Sequence, residues 1–266
     1  MRRPSFDSLA LAIGLFAGAV VFVGVVTATR IRFLAPTPLV TGIITLLVVS
    51  GIATTRTNLV SWIVDHRIHT TLALGMSVIT AVVGILVSFG IVPSETGNRL
   101  LLVILAPLIA AFLVYITTMR RYEAYLHDHE RVLAEWTAAP DTRYKRIVRG
   151  LSLVGAAVFF VGGVLIVLEL DTEASFIGPL AGVLLGRAAV IGRYRRYTLY
   201  GNGLVIRVSG SVSGLFVPRD QLRSVSRSER ALTIRRGLPW PLPIRCSTAD
   251  LDDPCGLEAT LRKWIG

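Results

Sequence analysis

The stretch FIGPLAGVLLGRAAVIGRYRRYTLYGNGLVIRV, residues 176–208, contains both kinds of structure from which this chain is built. Its first half, Phe176 to Ile191, is an apolar run with one arginine. That run approaches the roughly 20 residues with which a helix crosses a hydrocarbon core of about 30 Å. From Tyr197 onward, apolar residues alternate with others at a period of two, which is typical of a β-strand. The junction therefore predicts a membrane-spanning helix that leads directly into a β-rich domain.

Five more apolar blocks precede this one along the chain. The six predicted spans are Leu9 to Thr27, Pro38 to Thr54, Thr71 to Val92, Leu100 to Thr118, Leu151 to Leu168 and Phe176 to Ile191. Of the 266 residues, 53% are hydrophobic and only 17% are charged, against about 25% charged in an ordinary soluble domain. Because backbone groups inside lipid must be paired within their own segment, the blocks predict an α-helical integral membrane bundle of about six transmembrane helices.

The distribution of basic residues predicts how the chain crosses the membrane. With the N-terminus inside, eleven basic residues lie in the inner segments before the tail and three in the outer loops. Because Arg and Lys collect on the cytoplasmic side, we expect a multi-pass protein of the cell membrane with both termini in the cytoplasm. This topology accounts for much of the net charge of +11. Nucleic acid is not expected as a partner, since no aromatic stacking pattern accompanies the arginines.

The tail that follows the last span predicts a small α+β domain. Alternation marks strands around Tyr197 and Leu199 and from Leu204 to Val208, joined by an Asn-Gly turn that is typical of a hairpin. Further candidate strands are Leu215 to Val217, Leu222 to Arg227, Ala231 to Arg236 and Leu242 to Ser247. At the end, Asp252 or Asp253 can cap a helix whose apolar face carries Leu257, Leu261 and Ile265. The pattern thus predicts antiparallel strands and one C-terminal helix.

The longest loop gives the predicted domain boundaries. Its residues RRYEAYLHDHERVLAEW keep helical spacing from Tyr122 to Trp136, which predicts an extension of the fourth helix into the cytosol. Ala139, Pro140 and Asp141 then break the helix. We therefore predict a four-span N-terminal region at 1–138, a linker and two-span hairpin at 139–192, and a cytosolic domain at 193–266.

The tail resembles the bacterial pleckstrin-homology-like (PH-like) domain. The matching segments are RRYTLYGNGLVIRVSG, GLFVPRDQLRSVSRSE, ALTIRRG, LPIRC and CGLEATLRKWIG. In that family a transmembrane hairpin often runs straight into the first of these strands, so the resemblance covers about 115 residues, Leu151 to Gly266. It implies a half-barrel of seven strands, of which the tail shows five or six, and a non-enzymatic binding or scaffolding module at the inner leaflet. The first four spans resemble no family that we recognise.

Two groups of arginines are the candidate binding residues. Arg193, Arg195 and Arg196 emerge beside the membrane, where each basic residue near an anionic leaflet contributes about 1 kcal/mol. The second group either extends that contact, binds an acidic partner or forms a solubilising surface; it comprises Arg219, Arg223, Arg227 and Arg230. The expected partners are anionic lipids of the inner leaflet and another membrane or cytosolic protein.

Small residues mark two candidate packing surfaces. Gly14 and Gly18 in the first span lie four residues apart, and so do Gly178, Gly182 and Gly186 in the sixth. This spacing puts each set on one helix face, where another backbone can approach closely. Packing within one chain and a homo-oligomer both fit the pattern.

The sequence predicts neither catalysis nor a cofactor. It contains no serine nucleophile with its base, no His-Glu zinc motif and no glycine-rich phosphate loop. Two pairs of histidines, His66 with His69 and His127 with His129, lack a recognised metal spacing and favour solvated interfacial positions. Cys246 and Cys255 are expected to be small packing residues in a reducing compartment, without a disulfide.

A second function remains open at this point. Six spans can form a channel or carrier for a small neutral or hydrophobic solute, with the cytosolic domain as its regulator. The first five predicted cores contain no Asp, Glu, Lys, Arg or His, which argues against ion-coupled transport.

Overall fold

The structure is a computed structural model that describes residues 7–29, 36–56, 59–88, 91–170, 177–211, 214–237 and 242–266. The chain divides into two compact units, Met1–Tyr122 and Glu123–Gly266. In its described part the first unit consists of helices, whereas the second combines helices with two antiparallel sheets.

The first unit contains long apolar helices. They are α1 (Ser8–Thr29), α2 (Pro36–Thr54), the short α3 (Leu59–Asp65), α4 (Ile68–Ser88) and α5 (Ser94–His129), whose last residues belong to the second unit. Four segments in the described part are long and apolar enough to cross a membrane: Ser8–Thr27, Pro36–Thr54, Ile68–Val87 and Arg99–His129. They correspond to the first four predicted spans, so these helices are confirmed as candidate membrane-spanning helices.

The start of α1 is held next to α5. One carboxylate oxygen of Asp7 accepts hydrogen bonds from the amides of Leu9 and Ala10, at 3.1 and 3.0 Å, and so caps the helix. The other oxygen accepts a hydrogen bond of 2.9 Å from Nη1 of Arg121 in α5. The beginning of α1 and this part of α5 therefore lie at the same side of the unit.

The second unit is built from seven described strands and three further helices. In chain order these are β1 (Ala134–Ala138), α6 (Thr142–Leu170), α7 (Ile177–Val190), β2 (Arg195–Leu199), β3 (Gly203–Val208), β4 (Leu215–Pro218), β5 (Leu222–Arg227), β6 (Ala231–Arg236), β7 (Ile244–Ser247) and α8 (Pro254–Ile265). One antiparallel sheet has the order β1-β2-β3-β4 and the other β5-β6-β7. All the strand regions predicted in the tail are present, within two residues at each end.

In the described part of the second unit, an apolar core lies between the sheets and α8. Alternation along the strands turns one side chain in two toward this core, where Tyr197, Leu199 and Leu204 of the first sheet are fully buried. Leu261 and Trp264 of α8 complete it. Of the two candidate caps of this helix, Asp253 is the one used, since its carboxylate accepts a 2.9 Å hydrogen bond from the amide of Gly256.

The predicted extension of the fourth helix through Trp136 is wrong. Helix α5 ends at His129, and the following strand β1 pairs with β2, with Trp136 opposite Tyr197. Non-local pairing explains the difference, because Trp136 and Ala138 are turned into the core only in an extended strand. A boundary at 138 separates β1 from the tail to which its sheet belongs, and the α6–α7 hairpin is an insertion between two neighbouring strands.

Helices α6 and α7 pack as an antiparallel pair. A methyl group placed on Gly155 of α6 would lie 3.1 Å from Cδ1 of Leu184 in α7. In the described part of α7, residues Ala181–Val190 form an apolar helix of ten residues. Helices thus occupy most of the fifth and sixth predicted spans, and their passage through a membrane stays a prediction.

Candidate functional site

Two short connections join the α6–α7 hairpin to the sheets. Residues 139–141 lead from β1 into α6, and residues 191–194 lead from α7 into β2. The first connection is held in place, since Pro140 bridges to Cys246 of β7 and the carbonyl of Ala139 accepts a 2.9 Å hydrogen bond from the amide of Ser247. Asp141 is buried and lies 3.7 Å from Nη2 of Arg245. The hairpin is therefore tied to the sheets at two neighbouring strands.

Basic side chains are concentrated around these two connections. A methyl group on Gly192 would come within 2.7 Å of Nζ of Lys145, so the start of α6 and the end of α7 lie side by side. Neither residues 142–150 nor residues 191–196 include an acidic residue. We call the following set the basic collar: Arg143, Lys145, Arg146 and Arg149 of α6 with Arg193, Arg195 and Arg196.

The three predicted arginines of the collar have different surroundings. Arg193 and Arg196 are exposed, and Arg196 forms an ion pair with Glu135 across the strands β1 and β2. Arg195 is half-buried and stands opposite Ala138, on the strand side that faces the core. Its Nε has no hydrogen-bond partner among the described residues. Of these three arginines, Arg193 is thus the most available to an external ligand.

The core next to Arg195 contains a small polar cluster. The rings of Trp136 and Tyr197 stack 5.2 Å apart at an angle of 5°, beside the thiol of Cys246. Burial raises the pKa of the Tyr197 hydroxyl, and burial likewise raises the pKa of the Cys246 thiol. Both groups are therefore neutral at physiological pH, and we assign the cluster to packing of the module.

Helix α8 engages two arginines of the second predicted group. The guanidinium of Arg219 lies 5.3 Å from the ring centroid of Trp264, within reach of a cation–π interaction. Nε of Arg227 is 3.0 Å from Glu258, which also pairs with Arg262 at 2.7 Å. Arg223 and Arg230 are exposed. The contacts of Arg219 and Arg227 are with α8 and not with the collar, so we treat the two groups as separate features.

Four collar residues were not predicted as binding residues. In the sequence, Arg143, Lys145, Arg146 and Arg149 indicate topology alone. The sequence does contain a pattern that indicates binding to a membrane surface, because these four basic residues lie within seven positions directly before an apolar block. The sequence does not show that Lys145 lies against Gly192, because this contact depends on the antiparallel packing of α6 and α7.

The candidate packing glycines fall into two classes. A methyl group on Gly14 would lie 2.6 Å from the carbonyl oxygen of Leu46, and one on Gly18 would lie 2.6 Å from that of Gly42. Helices α1 and α2 therefore approach closely at these residues. Side chains added at Gly182 or Gly186 would enter open space. The surroundings of Gly178 lie outside the described residues.

The remaining candidates are histidines and cysteines. Among the described side chains, no group of three or more His, Cys, Asp or Glu could hold a metal ion. The interpretation of His69 as solvated is wrong: it is 6% exposed, and its ring lies 5.5 Å from that of Tyr115. Cys246 is a buried packing residue as expected. The same expectation is wrong for Cys255, which lies in the first turn of α8 and is exposed; both are free thiols.

Comparisons with protein-family models, with curated proteins and with solved structures gave no match.

Proposed function

We propose that this protein is a non-enzymatic membrane scaffold with six spans, which presents a PH-like module to the cytosolic leaflet. The α6–α7 pair is the membrane hairpin of the module in this proposal, and the basic collar binds anionic lipid headgroups. The single observation that carries the proposal is the insertion of the hairpin between β1 and β2, with connections of three and four residues.

The two short connections to the hairpin, residues 139–141 and 191–194, restrict the orientation of the module. If α6 and α7 cross the membrane, the ends of β1 and β2 that join them cannot move far from its surface. The collar then lies where basic residues attract anionic headgroups, at about 1 kcal/mol for each residue. Six strands of the tail, to which β1 adds a seventh from before the hairpin, and a final helix also support the PH-like assignment, because the resemblance implies seven strands.

Lipid preference of the reconstituted full-length protein tests the proposal. Spin-labelled phosphatidylglycerol and phosphatidylcholine would be added in turn to phosphatidylcholine bilayers, and their relative association constants measured by electron paramagnetic resonance. We expect the anionic lipid to be preferred and the preference to weaken with salt, since salt screens exposed charges.

A pair of variants with equal charge changes locates the site. The first neutralises the collar with Arg143→Gln, Lys145→Gln, Arg146→Gln and Arg149→Gln. The matched control carries Arg223→Gln, Arg230→Gln, Arg235→Gln and Lys263→Gln, all at exposed positions elsewhere on the module. At about 1 kcal/mol for each residue, the first variant should lose most of the preference and the control little. An unchanged preference in the first variant, or its loss in the control, contradicts the proposal.

A further inference from the structure

An open groove of about 1220 Å³ runs along β1. One side is formed by residues 134–137 of β1, and the other by residues 250–253 with Leu257 and Thr260 of α8. At one end it reaches Tyr194 and residues 207–211, where β2 begins and β3 ends. Because its lining follows four successive residues of one strand, the shape of the groove suits an elongated ligand.

The strand that borders the groove has a free edge. β1 is the terminal strand of its sheet, and in the described part of the chain no strand pairs with its second edge over residues 134–138. Its sequence AEWTA includes neither Lys nor Pro, the residues with which exposed edges are commonly protected. Such an edge offers backbone donors and acceptors to an extended peptide, which binds as an additional strand.

The groove is acidic although the module is basic. Residues 193–266 contain 13 basic and six acidic residues, and three of those six, Asp250, Asp252 and Asp253, line the groove. Its two arginines already have partners, since Arg196 pairs with Glu135 and Arg207 lies 3.3 Å from Glu123. The remaining charge favours a ligand that carries basic residues.

Apolar side chains complete the lining. Trp136, which is 8% exposed, and the half-buried Leu251 and Leu257 line the groove and pack in or against the core. Successive side chains of a strand point to opposite faces, so a segment added to β1 would direct every second residue to one side. A sequence in which basic and apolar residues alternate fits both requirements.

We propose that this groove binds the extended cytosolic flank of a transmembrane helix of a partner membrane protein, as an additional strand on β1. The inference rests on the proposed function for its orientation, because the end of the groove at Tyr194 is the end at which α7 leads into β2. Cytosolic flanks of transmembrane helices are rich in Arg and Lys, which complements the aspartates.

Binding of a model peptide tests this inference. The full-length protein in phosphatidylcholine nanodiscs would be titrated with a short fluorescein-labelled peptide of alternating arginine and valine, and fluorescence polarisation recorded. The control peptide alternates glutamate and valine. We expect binding of the basic peptide alone; equal binding of the acidic peptide, or no binding of either, overturns the proposal.

Two further measurements locate the bound peptide. Asp252→Lys should weaken binding about fivefold or more at low salt, as expected for reversal of an exposed charge at an interface, whereas Glu229→Lys, an exposed acid outside the groove lining, should not. Hydrogen exchange should slow at residues 134–138 on binding. Slowing at β5, the terminal strand of the other sheet, in place of β1 overturns the proposal.

The outcome of the peptide experiment does not depend on the outcome of the lipid experiment. The nanodiscs contain no anionic lipid, so a collar that does not bind headgroups leaves the peptide result unchanged. Conversely, a protein that prefers anionic lipid but does not bind the basic peptide retains the proposed function and loses only this inference.

Discussion

Replacing Trp136 with alanine should destabilise the whole C-terminal module, although this residue precedes the hairpin and lies far from the tail in sequence. Its side chain is 8% exposed and stacks on Tyr197, in the core that β1 and β2 share with β7 and α8. The variant therefore removes a large aromatic side chain from between strands that the chain joins only through a hairpin of two helices.

The expected magnitude follows from this burial. Truncation of a buried Trp to Ala costs about 3 to 5 kcal/mol through lost transfer free energy and the cavity that remains. Because most of the ring is buried, we expect at least the lower value. Since about 1.4 kcal/mol corresponds to a factor of ten, the equilibrium population of the opened module should rise about 150-fold or more.

The two free cysteines provide the assay. Cys255 is exposed and Cys246 is fully buried next to Trp136, so a thiol reagent reaches Cys246 only when the module opens. Labelling of each thiol in the full-length protein in detergent can be followed by mass spectrometry of its peptide. When closing is fast relative to labelling, the rate at Cys246 is proportional to the opened population. Cys255 serves as the internal reference.

Trp62→Ala is the matched control. Trp62 is 52% exposed and lies in α3 of the other unit, so its removal should leave labelling of Cys246 unchanged. The reasoning is refuted if Trp136→Ala labels Cys246 at the wild-type rate. It is refuted equally if Cys246 of the wild-type protein reacts as fast as Cys255.

Two other predictions concern helix packing and pH. Gly18→Leu should destabilise the protein by about 1 to 3 kcal/mol and lower its melting temperature in detergent, because the Cβ would lie 2.6 Å from the carbonyl oxygen of Gly42. The control Gly24→Leu places its side chain in open space and should leave the melting temperature unchanged; an equal decrease in both variants would contradict the close approach of α1 and α2. Burial raises the pKa of Cys246 above its unfolded value of about 8.5 to 9, so the stability that this thiol contributes is fully present below that pH and falls as pH rises through the folded pKa. The denaturation midpoint followed by tryptophan fluorescence should therefore decrease between about pH 8 and 9.5, and a decrease of the same size in Cys246→Ala would show that this thiol is not the cause.

Local patterns were sufficient for most elements of the fold. Leu222–Arg227 and Ala231–Arg236 are predicted residue for residue, because alternation and flanking turn residues are properties of a short segment. The sequence predicts Asp252 or Asp253 as the cap of α8. The hydrogen bond from the amide of Gly256 identifies Asp253 as the cap. Length and composition alone were likewise sufficient to predict the first four apolar helices.

The strand β1 shows where local patterns are insufficient. Trp136 continues the helical spacing of the preceding segment, so the local pattern does not distinguish a helix from a strand at Ala134–Ala138. The partner that stabilises the strand is β2, and the ion pair between the two strands joins Glu135 and Arg196, which are 61 positions apart. The β-propensity of a short segment does not include the stabilisation that a distant partner strand provides.

The candidate sites divide in the same way. The sequence alone shows that basic residues flank the apolar blocks. Charged residues are excluded from lipid, so they collect at the ends of each block. Which of those residues share a surface depends on packing: Lys145 meets Gly192, Arg195 turns toward the core, and Arg227 is bound to α8. Apolar blocks and strand alternation are properties of consecutive residues, whereas the insertion of a hairpin between β1 and β2 arises only when distant segments bury a common core.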